Sequence, residues 1–194
     1  MYYNREERTI YVISLPNNQP AWTYRIPEEL TIETWGNSFF SDQSHLFMKL
    51  HMGGIMAFSL INGEVLWKWF GEETYSSFCT AANFVYVNDG NRITEININN
   101  GQPERILDFH NLAEYHNLRA NGSIFGYDDI LVFKNSHSGE IAVLDRNTFK
   151  LKGRDIVDPL GIAEGPKVIH YVDRILYVMG MSSKVNIYKV LDDE

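Results

Sequence analysis

The chain contains a pattern that recurs along its own length. Residues 10–24 (IYVISLPNNQPAWTY) align without a gap with residues 55–69 (IMAFSLINGEVLWKW), 45 residues further on, and Trp22 falls on Trp67. Further copies begin at Ile93, Ile141 and Val185, so five copies follow one another at spacings of 38 to 48 residues. Self-similarity at a period of about 20 to 50 residues is typical of solenoids and propellers. The pattern therefore indicates one supersecondary unit, repeated.

Each copy holds several short runs of β-branched and aromatic residues. A second run precedes four of the copies, at HLFMKLH, FVYVN, ILVFKN and ILYVMG, and turn sequences such as Asp89-Gly90-Asn91 join the two runs. Turns of this kind between β-branched runs indicate antiparallel hairpins. A third run follows, as in EVLWKWF, and a fourth leads in, as in TIETW, SSFCTAA, GSIFGY and KVIHYV. Four strands in a repeat of about 43 residues form the unit of a β-propeller.

We therefore predict an all-β fold, a small β-propeller of about five four-stranded antiparallel blades with incomplete terminal blades. The repeat cores are predicted near residues 9–26, 45–70, 84–109, 130–152 and 175–190, within a single domain spanning 1–194. Neighbouring blades cover both faces of a propeller strand, which would explain why EVLWKWF is apolar at both odd and even positions. A sandwich or barrel of serial hairpins is the alternative. A closed ring is favoured over an open arc, because an arc exposes strand edges.

The stretch AFSLINGEVLWKWF resembles the repeat of the PQQ-like and WD40-like β-propeller superfamily. The likeness is carried by Ala57, Leu60, Asn62-Gly63 and Trp67. The resemblance implies a propeller scaffold in which the tryptophan packs one blade onto the next. It is good over this repeat, partial over the copies at Ile10 and Ile93, and faint over the last two.

Two departures from the family pattern bear on function. Arg105 takes the tryptophan position in the third copy, and the aspartate usual before the turn occurs only as Asp145 in the fourth. Quinoprotein dehydrogenases of the superfamily bind quinone and Ca²⁺ through charged residues of the axial channel, and no calcium-ligand run is recognisable in this sequence. The resemblance therefore supports the scaffold and not the redox chemistry, and we expect neither a cofactor nor a metal.

The net charge of the chain limits the classes of partner that it can bind. The 194 residues include 17 Lys and Arg against 25 Asp and Glu, a net charge of −8. An acidic surface repels phosphate groups, so we expect no nucleic-acid and no membrane partner.

The charged start MYYNREER does not resemble a secretory signal. Cys79 is the one cysteine, and its apolar strand context is typical of a small buried hydrophobe in a reducing compartment. We therefore expect a cytoplasmic protein.

Connections between the repeats carry the side chains best suited to contact a partner. The segment DFHNLAEYHNL, 108–118, supplies His110, Glu114, Tyr115 and His116. The spacing of its two histidines fits neither a helical zinc pair nor a short chelating loop, so a contact role is favoured over a metal site. A second connection supplies Glu72, Glu73 and Tyr75.

Two further histidines are candidates for the same role. His51 and His137 occupy equivalent hairpin loops in different repeats. Because a propeller places equivalent loops around one rim, these side chains are predicted to share a face.

These features predict a non-enzymatic protein-binding propeller that uses the loops of one face. Its size and charge suggest an acidic immunity or inhibitor protein that neutralises a toxin, which would be a basic partner. The alternative is a small hydrolase or lyase with a metal or ligand site at the axis. The central strands offer mainly apolar residues, with Glu95 and Asn97 as the chief exceptions, which counts against that alternative. A third possibility is that the chain forms part of a larger propeller or complex.

Overall fold

The computed structural model describes residues 1–14, 19–32, 39–71, 77–109, 123–135, 139–157, 168–179 and 185–191. These ranges contain β-strands and the short 3-10 helix His51–Gly53. None of the helical structure in them is long and apolar enough to cross a membrane.

The described strands form five separate antiparallel sheets, each a meander of strands consecutive in sequence. Sheet 1 contains β1 (Tyr2–Asn4), β2 (Thr9–Ser14) and β3 (Gln19–Arg25). Sheet 2 contains β4 (Phe39–Ser41), β5 (His45–Lys49), β6 (Gly54–Ser59) and β7 (Val65–Phe70). Sheet 3 contains β8 (Ser77–Ala81), β9 (Phe84–Asn88), β10 (Arg92–Asn97) and β11 (Pro103–Asp108).

The remaining strands complete the last two sheets. Sheet 4 contains β12 (Ile124–Gly126), β13 (Ile130–Asn135), β14 (Glu140–Asp145) and β15 (Leu151–Ile156). Sheet 5 contains β16 (Val168–Val172), β17 (Ile175–Met179) and β18 (Val185–Lys189). Among the described residues, the first and last sheets thus have three strands and the others four, which confirms the predicted incomplete terminal blades.

The sheets repeat one local design. In the first four, the pairing between the last two strands shifts by one residue at the same place: after Val12, Ala57, Glu95 and Val143. Such a bulge increases the local twist of the hairpin. The turn beside the bulge includes a residue with positive φ, which is Gly63 (φ 73°), Gly101 (φ 70°) and Phe149 (φ 59°) in sheets 2, 3 and 4.

Burial corrects the sequence prediction for the last hairpin of sheet 2, β6–β7. The expectation that β7 is covered on both faces is wrong, since Leu66 and Phe70 are exposed while Trp67 is buried. The strand covered on both faces is β6, in which five successive residues from Gly54 to Phe58 are buried. As the third strand of four, β6 is flanked by strands on both edges, whereas β7 lies at the edge of its sheet.

The first strand of sheet 2 also differs from the prediction. TIETW was expected to supply it, but Ile32 forms only an isolated bridge with Leu50, and the strand that pairs with β5 is Phe39–Ser41. The rings of Phe40 and Phe47 stack with centroids 4.7 Å apart, and this aromatic pair favours the observed register.

The contacts divide the chain into two compact units, Met1–Thr74 with Asn99–Gln102, and Tyr75–Ile98 with Pro103–Glu194. In the first unit, Ile10 and Trp22 of sheet 1 pack against Met56 and Phe58 of sheet 2. The second unit holds two such layers, one between sheets 3 and 4 and one between sheets 4 and 5. The core of each unit therefore lies between successive sheets, while the single-domain assignment and ring closure stay predictions.

Candidate functional site

Most residues predicted to contact a partner lie outside the described residues. These are Glu72, Glu73, Tyr75, His110, Glu114, Tyr115, His116 and His137. His51 is described: it is exposed, lies in the 3-10 helix, and donates its backbone N–H to the Thr31 carbonyl at 2.7 Å. The shared face of His51 and His137 therefore stays a prediction.

One position recurs on the last strand of each of the first four sheets, directly across from the bulge. Trp22 is paired with Val12, Trp67 with Ala57, Arg105 with Glu95, and Gly153 with Val143. We call Trp22, Trp67, Arg105 and Gly153 the docking positions, because the side chains of the first three contact the turn of the following repeat.

The first two docking positions place an indole ring against a glycine. Trp22 donates its Nε1–H to the Leu60 carbonyl at 2.9 Å, and a Cβ on Gly63 would lie 2.5 Å from its ring. In the same way, a Cβ on Gly101 would lie 2.7 Å from the ring of Trp67. Both glycines also have positive φ, so a side chain there would be opposed by backbone strain and by the ring. The Trp–Gly contacts are consistent with the docking role that the family resemblance implied.

The third docking position uses a guanidinium instead of a ring. Arg105 donates from Nε to Glu95 Oε1 at 2.7 Å and from Nη2 to Glu95 Oε2, so the two form a bidentate ion pair. Its Nη2 also donates to the Arg146 carbonyl at 2.9 Å, and its Nη1 donates to the Asn147 carbonyl. The guanidinium carbon lies 4.3 Å from the centroid of the Phe149 ring, a cation–π geometry. Arg105 therefore joins sheet 3 to the turn of sheet 4.

The carboxylate of this pair is buried, with Glu95 2% exposed. Tyr86 donates its hydroxyl hydrogen to Glu95 Oε2 at 2.7 Å, and Arg146 Nη1 lies 3.3 Å from the Tyr86 hydroxyl oxygen. Burial raises the pKa of Tyr86, and its hydrogen bond to Glu95 acts in the same direction. The hydrogen bond to Glu95 raises the pKa of Arg105. Both carboxylate oxygens are thus held by fixed donors, an arrangement suited to anchoring sheets rather than to proton transfer.

Sequence reasoning recognised both members of this pair but not their contact. Glu95 stood out as a polar residue in a central strand, and Arg105 as a replacement for tryptophan. The available signal was that Glu95 and Arg105 occupy the same repeat positions as Ala57 and Trp67, which face each other across a hairpin. Side chains so placed are neighbours on one face of the sheet.

The last sheet has one packed side and one side on which apolar residues are exposed. One side of sheet 5, with Ile169, Leu176 and Val178, packs against sheet 4. The opposite side carries Val185 and Ile187, which are 54% and 64% exposed. Val172 is also exposed on this side, where Tyr177 pairs with both His170 and Ile187. We call this side, comprising His170, Val172, Ile175, Tyr177, Met179, Val185, Ile187 and Lys189, the open face of sheet 5.

Neither a metal cluster nor an activated thiol is found in the described part of the chain. Its residues include no group of three or more His, Cys, Asp and Glu side chains that could hold a metal ion. Cys79 packs against the core between sheets 3 and 4, and burial raises the pKa of its thiol. The thiol is therefore not activated as a nucleophile, because the thiolate is the reactive form.

Comparison with known proteins identifies the fold but not a family. No family model matches the chain, and no curated protein matches it. A computationally designed protein, Ika8, has a TM-score of 0.69 at 15% identity, with 95% of this chain and 53% of that chain covered. BamB from Moraxella catarrhalis has a TM-score of 0.60 at 18% identity, with 88% and 50% covered. Hsv2 from Kluyveromyces lactis has a TM-score of 0.67 at 8% identity, with 97% and 57% covered.

BamB and Hsv2 are β-propeller proteins, and the five antiparallel sheets of this chain have the same architecture. The chain therefore has a β-propeller fold, as predicted. It spans about half the length of each of these three structural neighbours.

Proposed function

We propose that the protein is a non-enzymatic, cytoplasmic protein-binding scaffold, and that its partner covers the open face of sheet 5. The observation that carries the proposal is the exposure of Val172, Val185 and Ile187 on one side of one sheet. Single exposed apolar residues are normal, whereas grouped ones mark interaction sites, and Val185 and Ile187 are neighbours on one side of β18.

The edge of the same sheet supports this proposal. Among the described strands, β18 pairs only with β17, so its outer edge has no partner strand there. A partner that places an apolar β-strand or sheet over this region could use both the edge and the face. The loops of one rim, predicted from the sequence as the contact surface, are retained as a second part of the proposed interface.

Two narrower proposals rest on fewer observations. The repeats are proposed to be PQQ-like or WD40-like, supported by the stacking of Trp22 and Trp67 on Gly63 and Gly101. An acidic immunity or inhibitor protein that neutralises a toxin is proposed from the net charge of −8, which would steer a basic partner toward it.

The decisive experiment compares apolar-to-aspartate substitutions on the open face of sheet 5 with one on another sheet. A tagged Val185→Asp/Ile187→Asp variant should lose the stoichiometric partner that the wild-type chain captures from its native extract, and the purified pair should bind at least about 10-fold more weakly in calorimetry. The control is Ile106→Asp, because Ile106 is 58% exposed on β11 of sheet 3. The control should keep the partner, and both variants should melt close to the wild-type temperature.

Three results would contradict the proposal. Retention of the partner by the double variant would show that the open face is not the interface. Light scattering that finds a wild-type dimer and a monomeric double variant would assign the face to a second copy of the chain. A stoichiometric metal whose removal by chelator lowers the melting temperature, with no partner captured, would favour the alternative of an axial hydrolase or lyase site.

A further inference from the structure

The fourth docking position differs from the other three because it has no side chain. Gly153 pairs with Val143 as Trp67 pairs with Ala57. A Cβ added to Gly153 would meet no atom within 4 Å, in contrast to the crowded glycines beneath the indole rings. Among the described residues, the place that a tryptophan fills twice in this chain is therefore open between sheets 4 and 5.

A cavity of about 370 Å³ occupies this place. Ile141 and Val143 of β14 line it, together with Tyr188 and Val190 of sheet 5, and charged side chains of β15 also contribute to the wall. Its volume lies at the lower end of the range of ligand pockets, about 300 to 1,000 Å³, and can accommodate a single aromatic ring system.

The backbone around the cavity repeats the frame that receives Trp22. The Leu60 N–H donates to the Ser44 carbonyl at 2.9 Å, and the Leu60 carbonyl accepts the indole N–H. The Val190 N–H donates to the Arg174 carbonyl at 2.9 Å in the same manner. The repeat therefore places the Val190 carbonyl where an indole donor is accepted in the first docking contact.

We propose that this cavity is a binding site for the indole ring of a tryptophan side chain presented by a partner protein. The ring would lie over Gly153, between the apolar side chains of β14 and Tyr188, with its N–H directed at the Val190 carbonyl as the Trp22 N–H is directed at the Leu60 carbonyl. The inference rests on the proposed protein-binding function and names the group of the partner that is recognised.

The test uses a probe that needs no partner. N-acetyl-L-tryptophanamide should bind the full chain saturably, with a Kd in the millimolar range and amide chemical-shift changes confined to β14, β15 and β18. N-acetyl-L-leucinamide, which has a similar backbone but no ring, should bind at least about 10-fold more weakly.

Two substitutions at one residue complete the test. Gly153→Trp should fill the cavity, abolish probe binding and raise the melting temperature, whereas Gly153→Ala should retain binding because its Cβ meets no atom. Shift mapping on the wild-type chain does not depend on whether the tryptophan variant folds.

Absence of saturable binding would overturn the inference, as would shift changes elsewhere in the chain or equal binding of the leucine compound. A Gly153→Trp variant with a lowered melting temperature would also overturn it, since the space would then be filled by the chain itself. Failure of the capture experiment with probe binding intact would overturn the proposed function, and with it a partner protein as the source of the ring, but not the indole site. Capture of a partner without probe binding would overturn only this inference.

Discussion

Arg105 links two sheets through a guanidinium at the position where Trp22 and Trp67 use an indole ring. Two residues that contact Arg105 also differ from their counterparts in the other repeats. Glu95 replaces the small Ala57 across the hairpin, and Phe149 replaces the glycine of the next turn. These three residues make one unit, because the carboxylate orients the guanidinium and the phenyl ring receives it.

Removal of the guanidinium should therefore be costly. Arg105→Leu leaves the buried Glu95 carboxylate without its charged partner, and we expect the free energy of unfolding to fall by about 2 to 4 kcal/mol, moderated because Arg105 is partly exposed. Urea unfolding measures the loss. The control is Arg154→Leu, since Arg154 is exposed and lies 4.0 Å from Glu140, and a surface pair of this kind contributes about 0 to 1 kcal/mol.

A reconstruction tests whether the three residues act together. Glu95→Ala/Arg105→Trp should remain destabilised. In sheets 2 and 3 the turn residue under the indole is a glycine, and even a Cβ on Gly63 or Gly101 would lie within 3 Å of the ring. The equivalent turn residue of sheet 4 is Phe149, whose side chain would meet the new indole. Adding Phe149→Gly should recover part of the loss. Additive effects of the substitutions would argue against a coupled unit.

The Trp–Gly contacts join the last strand of one sheet to the turn of the next. Because of these contacts, glycines of this chain differ in how well they should tolerate a side chain. Gly63→Ala combines φ 73° with a Cβ 2.5 Å from the Trp22 ring, so we expect a loss of about 2 to 4 kcal/mol. Gly153→Ala is the matched substitution at a strand position with free space, and its effect should stay within about 0.5 kcal/mol. Thermal and urea unfolding of the two variants measure the contrast; equal losses would mean that the indole contact contributes nothing specific.

The sequence predicted the hairpins and their turns more accurately than it predicted which of their side chains are exposed. The hairpins were predictable because Asn-Gly and Asp-Gly turns and β-branched runs act locally. The wrong assignment of two covered faces to β7 came from reading Leu66 and Phe70 as buried because they are apolar. Apolar residues are common on protein surfaces, so composition alone does not determine which face is covered.

Across the whole molecule, acidic and phenolic groups should limit stability at both ends of the pH range. Burial alone would raise the pKa of Asp145, but hydrogen bonds from Thr148 and Asn147 hold it below its usual 3.8, and Asp42 is lowered in a similar way by Ser44 and His45. A lowered folded pKa contributes stability that is present above the unfolded value and is lost as the pH falls through the folded value.

Two tyrosine side chains affect stability at the alkaline end of the pH range. Burial, followed by a hydrogen bond to Asp129, raises the pKa of Tyr171 to about 12, and burial with a hydrogen bond to Asp155 raises that of Tyr188 to about 12. A raised folded pKa gives stability that is complete below the unfolded value, about 10, and is lost as the pH approaches 12.

Urea unfolding across pH should therefore show stability falling below about pH 4 and above about pH 10. Asp145→Asn keeps an acceptor oxygen but does not titrate, so it should flatten the acid limb and leave the alkaline limb unchanged. Tyr188→Phe should flatten the alkaline limb alone. An unchanged acid limb in Asp145→Asn would show that this turn does not contribute.

The sequence by itself determined the repeated unit, the order of its strands and the β-propeller class. These follow from alternation along strands and from turn residues, which act over a few positions of the chain. Only the tertiary structure showed that Arg105 binds Glu95 and the turn at 146–149, that Gly153 borders a cavity, and that sheet 5 has an open apolar face. The physical reason is distance along the chain: each docking contact joins residues about 40 positions apart, and they meet only after two folded sheets have packed.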